Sequence, residues 1–259
     1  MDLGIAGRTA LVFGGSKGLG RACARHLAAA GVQVWIAART EATLAEAAAA
    51  LTQETGTPVR YVVADITRED GRDAALAACP SPDILLNNAE GWPPGNFRDW
   101  RADDWHAAAD AMMVGPIEMM RRTVDGMIER RFGRILNIVS RSVRAPDLKL
   151  GLSSGARAGL VGFANALARE VVRHGVTINN LLPGPFATDA QRIHIEHLAR
   201  EAGRSFEEVW REKEAAQPAG RFGDPDELGA WCAFLASRHA GYMTGQNLLI
   251  DGGIVASSS

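Results

Sequence analysis

Thr9-Ala10-Leu11-Val12-Phe13-Gly14-Gly15-Ser16-Lys17-Gly18-Leu19-Gly20 decides the fold. An apolar run of strand length stops at a loop holding four glycines, and the chain continues as A-C-A-R-H-L-A-A-A, which has helical composition. Strand, glycine loop and helix in that order open a βαβ unit. The first N–H groups of a helix have no partner inside it and carry the positive end of its dipole. Gly14-x-x-x-Gly18-x-Gly20 lets the backbone approach a pyrophosphate at that point. By themselves the same glycines also suit a tight turn with no ligand.

Outward from this stretch, strand and helix signals alternate. Residues 32–37 (V-Q-V-W-I-A) and 59–64 (V-R-Y-V-V-A) read as the second and third strands, with an alanine-rich helix beginning at Thr40 between them. Asp65 closes the third strand, and Thr67 with Asp70 predicts a capping box for the next helix. Residues 84–86 form a fourth strand ending at Asn87-Asn88-Ala89; helical spacing covers about 100–131, and 135–139 (I-L-N-I-V) is the fifth strand. A helix from about 153 to 172 leads to a sixth strand at 176–182, broken by Pro183-Gly184-Pro185. Asp224-Pro225-Asp226-Glu227 sets an N-cap, an N1 proline and an N3 glutamate in order, and 247–250 is the last strand. This alternation predicts a parallel sheet with helices on both faces. No repeat or linker divides the 259 residues, so one domain, 1–259, is expected.

Composition narrows the partners. Hydrophobic residues make up 47% of the chain, ample for a core, and 28 Lys and Arg against 30 Asp and Glu leave a net charge of −2. Such a balance gives no electrostatic case for nucleic acid or a membrane surface. Cys23, Cys79 and Cys232 are far apart in sequence and suggest neither a disulfide framework nor a zinc site, but small core residues in a reducing compartment. His194 and His197 lack the partner ligands a metal site needs, so no metal is expected. With neither a leader-like start nor a run of ~20 apolar residues, the expected localisation is cytoplasmic.

The glycine motif, Asp65, Asn87-Asn88-Ala89, Pro183-Gly184 with Thr188, Arg221-Phe222-Gly223, Thr244-Gly245-Gln246 and Asp251-Gly252-Gly253 occur in one order from about residue 7 to 253. In this the chain resembles the short-chain dehydrogenase/reductase family. The resemblance implies a Rossmann-type, doubly wound parallel sheet, oxidoreductase activity and a bound dinucleotide. It assigns the pyrophosphate to the glycine loop, Gly14, Ser16, Lys17, Gly18, Leu19 and Gly20, and the adenine edge to Asp65. Asn88 would lie under the ribose, with Arg157 reaching its hydroxyls, Thr188 would hold the nicotinamide amide, and Ile66, Ala89, Pro183, Gly184 and Phe186 would be further cofactor contacts. A carboxylate at the end of the second strand would suit NAD, and a cation NADP. The chain there reads Ala37-Ala38-Arg39-Thr40, with Lys17 nearby in the loop, so NADP (NADPH) is favoured over NAD. Two departures stand beside the site: Phe13 where the family usually has threonine, and Glu90 where its Asn-Asn-Ala-Gly motif has glycine, able to crowd or repel part of the cofactor.

The stretch 140–157, S-R-S-V-R-A-P-D-L-K-L-G-L-S-S-G-A-R, departs further. The family uses Ser, Tyr and Lys, with an Asn on the central helix. Here Ser140 keeps the serine position, Ser153-Ser154-Gly155-Ala156-Arg157 replaces Tyr-x-x-x-Lys, and Met112 stands at the asparagine position. A phenol titrates near 10 and can be brought toward neutrality; an aliphatic hydroxyl is far less acidic, and a guanidinium does not relay protons. Tyr61 and Tyr242 are the chain's only tyrosines and lie in other segments. Ser140, Ser153 and Arg157 are therefore the candidate catalytic set, with a substituted proton relay. Arg141, Arg144 and Lys149 could bind a carboxylate, phosphate or pantetheine-linked substrate, or form a solvated basic loop. Trp92-Pro93-Pro94 and Met112-Met113 would make the pocket apolar or belong to the core. The polar helical segment 191–217, with Ser205 and Glu208 as a capping box, is the expected lid over the substrate. The resemblance also implies a homo-oligomer, tetramer or dimer, with Gly155, Gly159 and Gly162 allowing close helix packing. The leading expectation is an NADPH-dependent oxidoreductase acting on a small carbonyl, alcohol or related unsaturated compound, anionic or acyl-carrier-linked in one version. A non-redox lyase, dehydratase or isomerase, or a non-catalytic NADP-binding protein, are the alternatives.

Overall fold

The computed structural model describes residues 1–256. Seven strands, β1 (Thr9–Phe13), β2 (Gln33–Ala38), β3 (Val59–Val63), β4 (Ile84–Asn88), β5 (Gly133–Ile138), β6 (Val176–Pro183) and β7 (Asn247–Ile250), form one sheet in the order β3-β2-β1-β4-β5-β6-β7. Every pairing is parallel. Alternate residues of β1 enter opposite cores: Ala10 and Val12 pack with α1 (Gly18–Ala29), α2 (Glu41–Thr55) and α9 (Pro225–Ala236), whereas Leu11 and Phe13 face α3 (Glu69–Ala78), α5 (Gly115–Glu129) and α6 (Gly151–Val171). A strand buried on both faces must be apolar throughout, which is why T-A-L-V-F reads as continuous rather than alternating. No helix among the described residues is long and apolar enough to cross a membrane.

One polar row crosses this core. Asn87, Asn137 and Asn180 stand in register on adjacent strands, as do Asn180 and Asn247. Their amides bond in series, Asn87 Nδ2 to Asn137 Oδ1 at 2.9 Å, Asn137 Nδ2 to Asn180 Oδ1 at 2.8 Å and Asn180 Nδ2 to Asn247 Oδ1 at 2.7 Å. Because a slip of one residue would turn each amide into the opposite apolar core, the ladder ties the register of β4 to β7.

Several local expectations change. The helix expected over 100–131 is α4 (Ala102–Ala109), a π turn at Asp110–Val114 and then α5. Pro116 has no N–H to offer Met112, and Gly115 N–H bonds instead to Asp110 O, five residues back, so the chain widens at the join. No Thr67–Asp70 capping box forms. Asp65 Oδ1 takes both Thr67 N–H and Thr67 Oγ1, at 2.9 and 2.8 Å, and Asp70 pairs with Arg68. The boxes at Ser205 and Asp224 are present, opening α8 (Phe206–Ala215) and α9. Cys23 and Cys232, distant in sequence, meet between α1 and α9, where burial raises the Cys23 thiol pKa well above its usual value and leaves it a packing group. Burial likewise pushes Cys79 up to about 12. Gly155 and Gly159 receive Trp105 and Met113 of the same chain rather than leaving an open face, and only Gly162 of the three has space above it.

Candidate active site

The C-terminal ends of β1, β4, β5 and β6 deliver the site, as expected where an open α/β sheet reverses its winding. Gly14 (φ 64°) and Gly18 (φ 52°) have the positive φ that glycine tolerates. A Cβ at Gly14 would lie 2.8 Å from Asn88 O, and one at Gly20 would overlap the Gly14 carbonyl. Those two glycines let the loop fold tightly against α1 and β4. Gly18 is different, since only Thr188, at 3.5 Å, comes near its missing Cβ. The N-terminus of α1 has no side-chain cap and no acid in its first turn, and beside it lies a cleft of about 440 Å³ lined by Ser16, Lys17, Gly18 and Thr188, and further by Arg21, Arg25, Asp189, Asp224 and Asp226. Free backbone donors, a lysine and no competing carboxylate in the turn suit a pyrophosphate, so these residues fit a dinucleotide.

Around this cradle, Asn88 Nδ2 lies 3.5 Å from Gly14 O and Ala89 follows it at the end of β4. Leu19 packs on the core, and Thr40 is the exposed N-cap of α2. Ile66 is buried, its carbonyl accepting from Arg72 at 2.8 Å, while Asp65 uses one carboxylate oxygen on its own turn. Pro183 ends β6, and Gly184 N–H bonds to Ile250 O at 3.0 Å. The Phe186 ring is buried in the core, and its carbonyl accepts from Thr188 N–H at 2.7 Å. Thr188 Oγ1 accepts from Gln191 N–H at 3.3 Å and caps α7 (Asp189–Ala202), leaving its hydroxyl proton to donate elsewhere. Arg39 is exposed and paired with Glu90.

Ser140 follows β5 and caps a short 3₁₀ turn, Arg141–Val143, accepting from Ser142 N–H at 3.1 Å and from Ser142 Oγ at 3.0 Å. With two bonds received, the Ser140 O–H is left to donate. Ser142, 1% exposed, escaped the sequence reading; the Ser-x-Ser spacing after an apolar strand was its one signal. One turn apart on α6, Arg157 Nε donates to Ser153 Oγ at 3.1 Å. The guanidinium is buried and donates further to Ile138 O at 2.8 Å and Ala89 O at 3.2 Å, joining the ends of β4 and β5 to α6. No carboxylate pairs with it among the described residues. Burial lowers its pKa to about 10, which still leaves a cation at neutral pH.

The other expected groups are dispersed. Met112 is buried with Ala108, Leu152 and Ala156, and Trp92 packs at the edge of that cluster. Tyr61 lies on edge strand β3, four places along the sheet from β5, and Tyr242 is fully exposed. Arg144 and Lys149 are exposed and Arg141 half-buried. Over the segment 191–217, α7 and α8 pack through Ile195, Ala199 and Val209 onto Phe222, whereas His197 pairs with Glu201 at 3.4 Å.

Comparison with known proteins adds a context. The family described as Enoyl-(Acyl carrier protein) reductase matches residues 14–255. The chain is 31% identical over 256 residues to the 3-oxoacyl-[acyl-carrier-protein] reductase FabG of Vibrio harveyi, covering 97% of this chain and 99% of that one. It is 34% identical over 248 residues to the acetoacetyl-CoA reductase of Shinella zoogloeoides, covering 95% and 98%. Among solved structures, L-sorbose reductase from Gluconobacter frateurii, complexed with NADPH and L-sorbose, superposes with a TM-score of 0.95 at 27% identity over 99% of this chain and 100% of that chain.

Proposed function

The chain belongs to the short-chain dehydrogenase/reductase family, and from that premise we propose that it is an NADPH-dependent reductase of a ketone, with Ser140, Ser153 and Arg157 in place of the usual proton relay. The observation that carries this reading is the uncapped, glycine-lined start of α1 facing Thr188, on the same sheet edge as Ser140 and the buried Arg157. Relatives named as 3-oxoacyl and acetoacetyl-CoA reductases, and a structural neighbour holding NADPH, support both cofactor and reaction.

NADPH, when bound, supplies the hydride. The loop backbone and the α1 N-terminus receive its pyrophosphate, Lys17 and Arg39 are the cations for a 2′-phosphate, and Asp65 offers its free carboxylate oxygen to the adenine edge. Asn88 and Arg157 serve the ribose, and Thr188 with the backbone at Pro183 and Gly184 serves the carboxamide. Ser140 and Ser153 both retain an O–H to donate to a substrate oxygen, because each already accepts from a neighbour. Arg157 polarises the Ser153 hydroxyl and places an uncompensated positive charge beside the oxygen that becomes an alkoxide, in the manner of an oxyanion hole. The proton that completes the alcohol comes from water, since neither serine nor arginine exchanges one readily near neutrality. Arg141, Arg144 and Lys149 suit the phosphate of a pantetheine-linked 3-oxoacyl substrate, and α7 with α8 forms the cover. A homo-oligomer would use the exposed Val114 and Phe163 beside Gly162.

The test is to titrate NADPH and NADH by fluorescence and then follow nicotinamide absorbance with acetoacetyl-CoA, simple ketones, imines and enones. NADPH binding with turnover of a ketone is the expected result; no binding of either dinucleotide would end the cofactor assignment. The absence of a phenol beside Ser153 favours one second reading, a non-catalytic NADPH-binding protein, for which tight binding without turnover on every compound is the signature.

A further inference from the structure

Glu90 follows Ala89, where the Asn-Asn-Ala-Gly motif of the family has glycine, and it is engaged with Arg39. Arg39 follows the end of β2 and Glu90 follows the end of β4. Strand β1 lies between those two strands, so the ion pair spans two inter-strand spacings, roughly 10 Å. It therefore crosses the line of β1 beyond Phe13, at the head of the glycine loop, where the adenosine half of a dinucleotide lies in such a sheet. Neither side chain is fixed by packing, since Arg39 and Glu90 are 66% and 77% exposed. An exposed pair of this kind adds little to stability. The backbone does not require glycine either, because Arg131 is the only described non-glycine residue with positive φ. What Glu90 adds is a negative charge on the cation that a 2′-phosphate would use.

We infer that Glu90 is a cofactor-selectivity residue, an internal competitor that occupies Arg39 and selectively weakens binding of the 2′-phosphorylated dinucleotide. The inference rests on the dinucleotide reading above. A 2′-phosphate must displace the Glu90 carboxylate from Arg39 and then sit near a like charge, whereas a dinucleotide without that phosphate has no need of Arg39. Lys17, which forms no ion pair among the described residues, keeps NADPH binding possible. The consequence is a smaller preference for NADPH over NADH than Arg39 and Lys17 alone would produce.

The experiment measures Kd for NADPH, NADH and the fragment 2′,5′-ADP with wild type, Glu90→Gln, Glu90→Gly and Arg39→Ala, each checked for an unchanged melting temperature. Removing the Glu90 charge should tighten NADPH and 2′,5′-ADP by about three- to tenfold while NADH changes less than about twofold. Arg39→Ala should weaken NADPH, and in the Arg39→Ala/Glu90→Gln double variant most of the gain should vanish, as coupled groups require. If both dinucleotides bind and Glu90→Gln leaves their ratio unchanged, or shifts it toward NADH, the inference is overturned and the cofactor reading stands. If no variant binds either dinucleotide, the cofactor reading fails first and takes the inference with it.

Discussion

The two halves of the sheet edge are built from different materials. Around β1 the machinery is backbone: positive-φ glycines, free N–H groups at α1 and a close fit of Gly14 and Gly20 against neighbouring chain. Around β5 and α6 it is side chains: two serines before and within the 3₁₀ turn, and an arginine tied to Ser153, Ile138 O and Ala89 O. Backbone geometry tolerates few substitutions, because a single Cβ has nowhere to go. A side-chain relay can be exchanged residue for residue while α6 and β5 keep their places. On the proposed reading, the same fold holds a dinucleotide cradle of the family kind beside a proton site of another kind.

The harshest way to break this contrast is at the backbone half. A methyl at residue 20 collides with the Gly14 carbonyl, a main-chain group that cannot swing aside as the end of a flexible side chain would. Gly20→Ala should weaken NADPH binding on the order of 100-fold in a fluorescence titration, and overpacking should cost about 1–3 kcal/mol of stability. Near-normal binding by this variant would mean that the loop geometry is not what holds the pyrophosphate.

At the side-chain half the losses should fall on turnover instead. Arg157→Ala removes the buried cation and leaves Ile138 O and Ala89 O without their donor, so kcat should fall by about 10²–10³, with NADPH affinity lowered by no more than about tenfold. Ser153→Ala removes one donor and should lower kcat by about 10- to 100-fold at unchanged NADPH affinity. Since Nε of Arg157 acts through Ser153 Oγ, the double variant should lose less than the product of the two. Multiplicative losses would show that the two residues serve separate steps.

What the sequence disclosed follows the same division. β1, the glycine loop and the N-cap at Asp224 were legible because each depends on local residue type: apolar run, glycine, Asp-Pro-x-Glu. Ser142 was not, since its burial against Ser140 depends on how the 3₁₀ turn closes. Nor was the Arg39–Glu90 pair, whose partners are brought within reach only by the order β2-β1-β4. The Thr67–Asp70 box failed because Asp65, two residues upstream of Thr67, competed successfully for it. The π turn around Met112 was not legible either, since it follows from Pro116, which a purely periodic reading passes over.

The smallest expected effect is the most discriminating one. A tyrosine relay brought toward neutrality leaves a titration in the pH profile of turnover, whereas Ser140, Ser142 and Ser153 have none near neutrality and Arg157, lowered by burial only to about 10, remains a cation throughout. Between pH 7 and 9 kcat should therefore change by less than about twofold, and decline only as pH approaches 10. The fold does not confound this window. Interaction with Arg221, followed by the Asp224 N–H, depresses the Glu227 pKa to about 2, so its contribution is complete above the ordinary carboxylate range and is lost only as pH falls toward 2. His26 and His194, both lowered chiefly by burial, are neutral in the folded chain above their usual value, so any destabilisation from their protonation is confined to lower pH. A step in kcat between pH 7 and 9 that persists when the substrate is one with no titrating group would reveal a proton donor outside the serine and arginine set. It would also make the side-chain half of the edge as conventional as the backbone half.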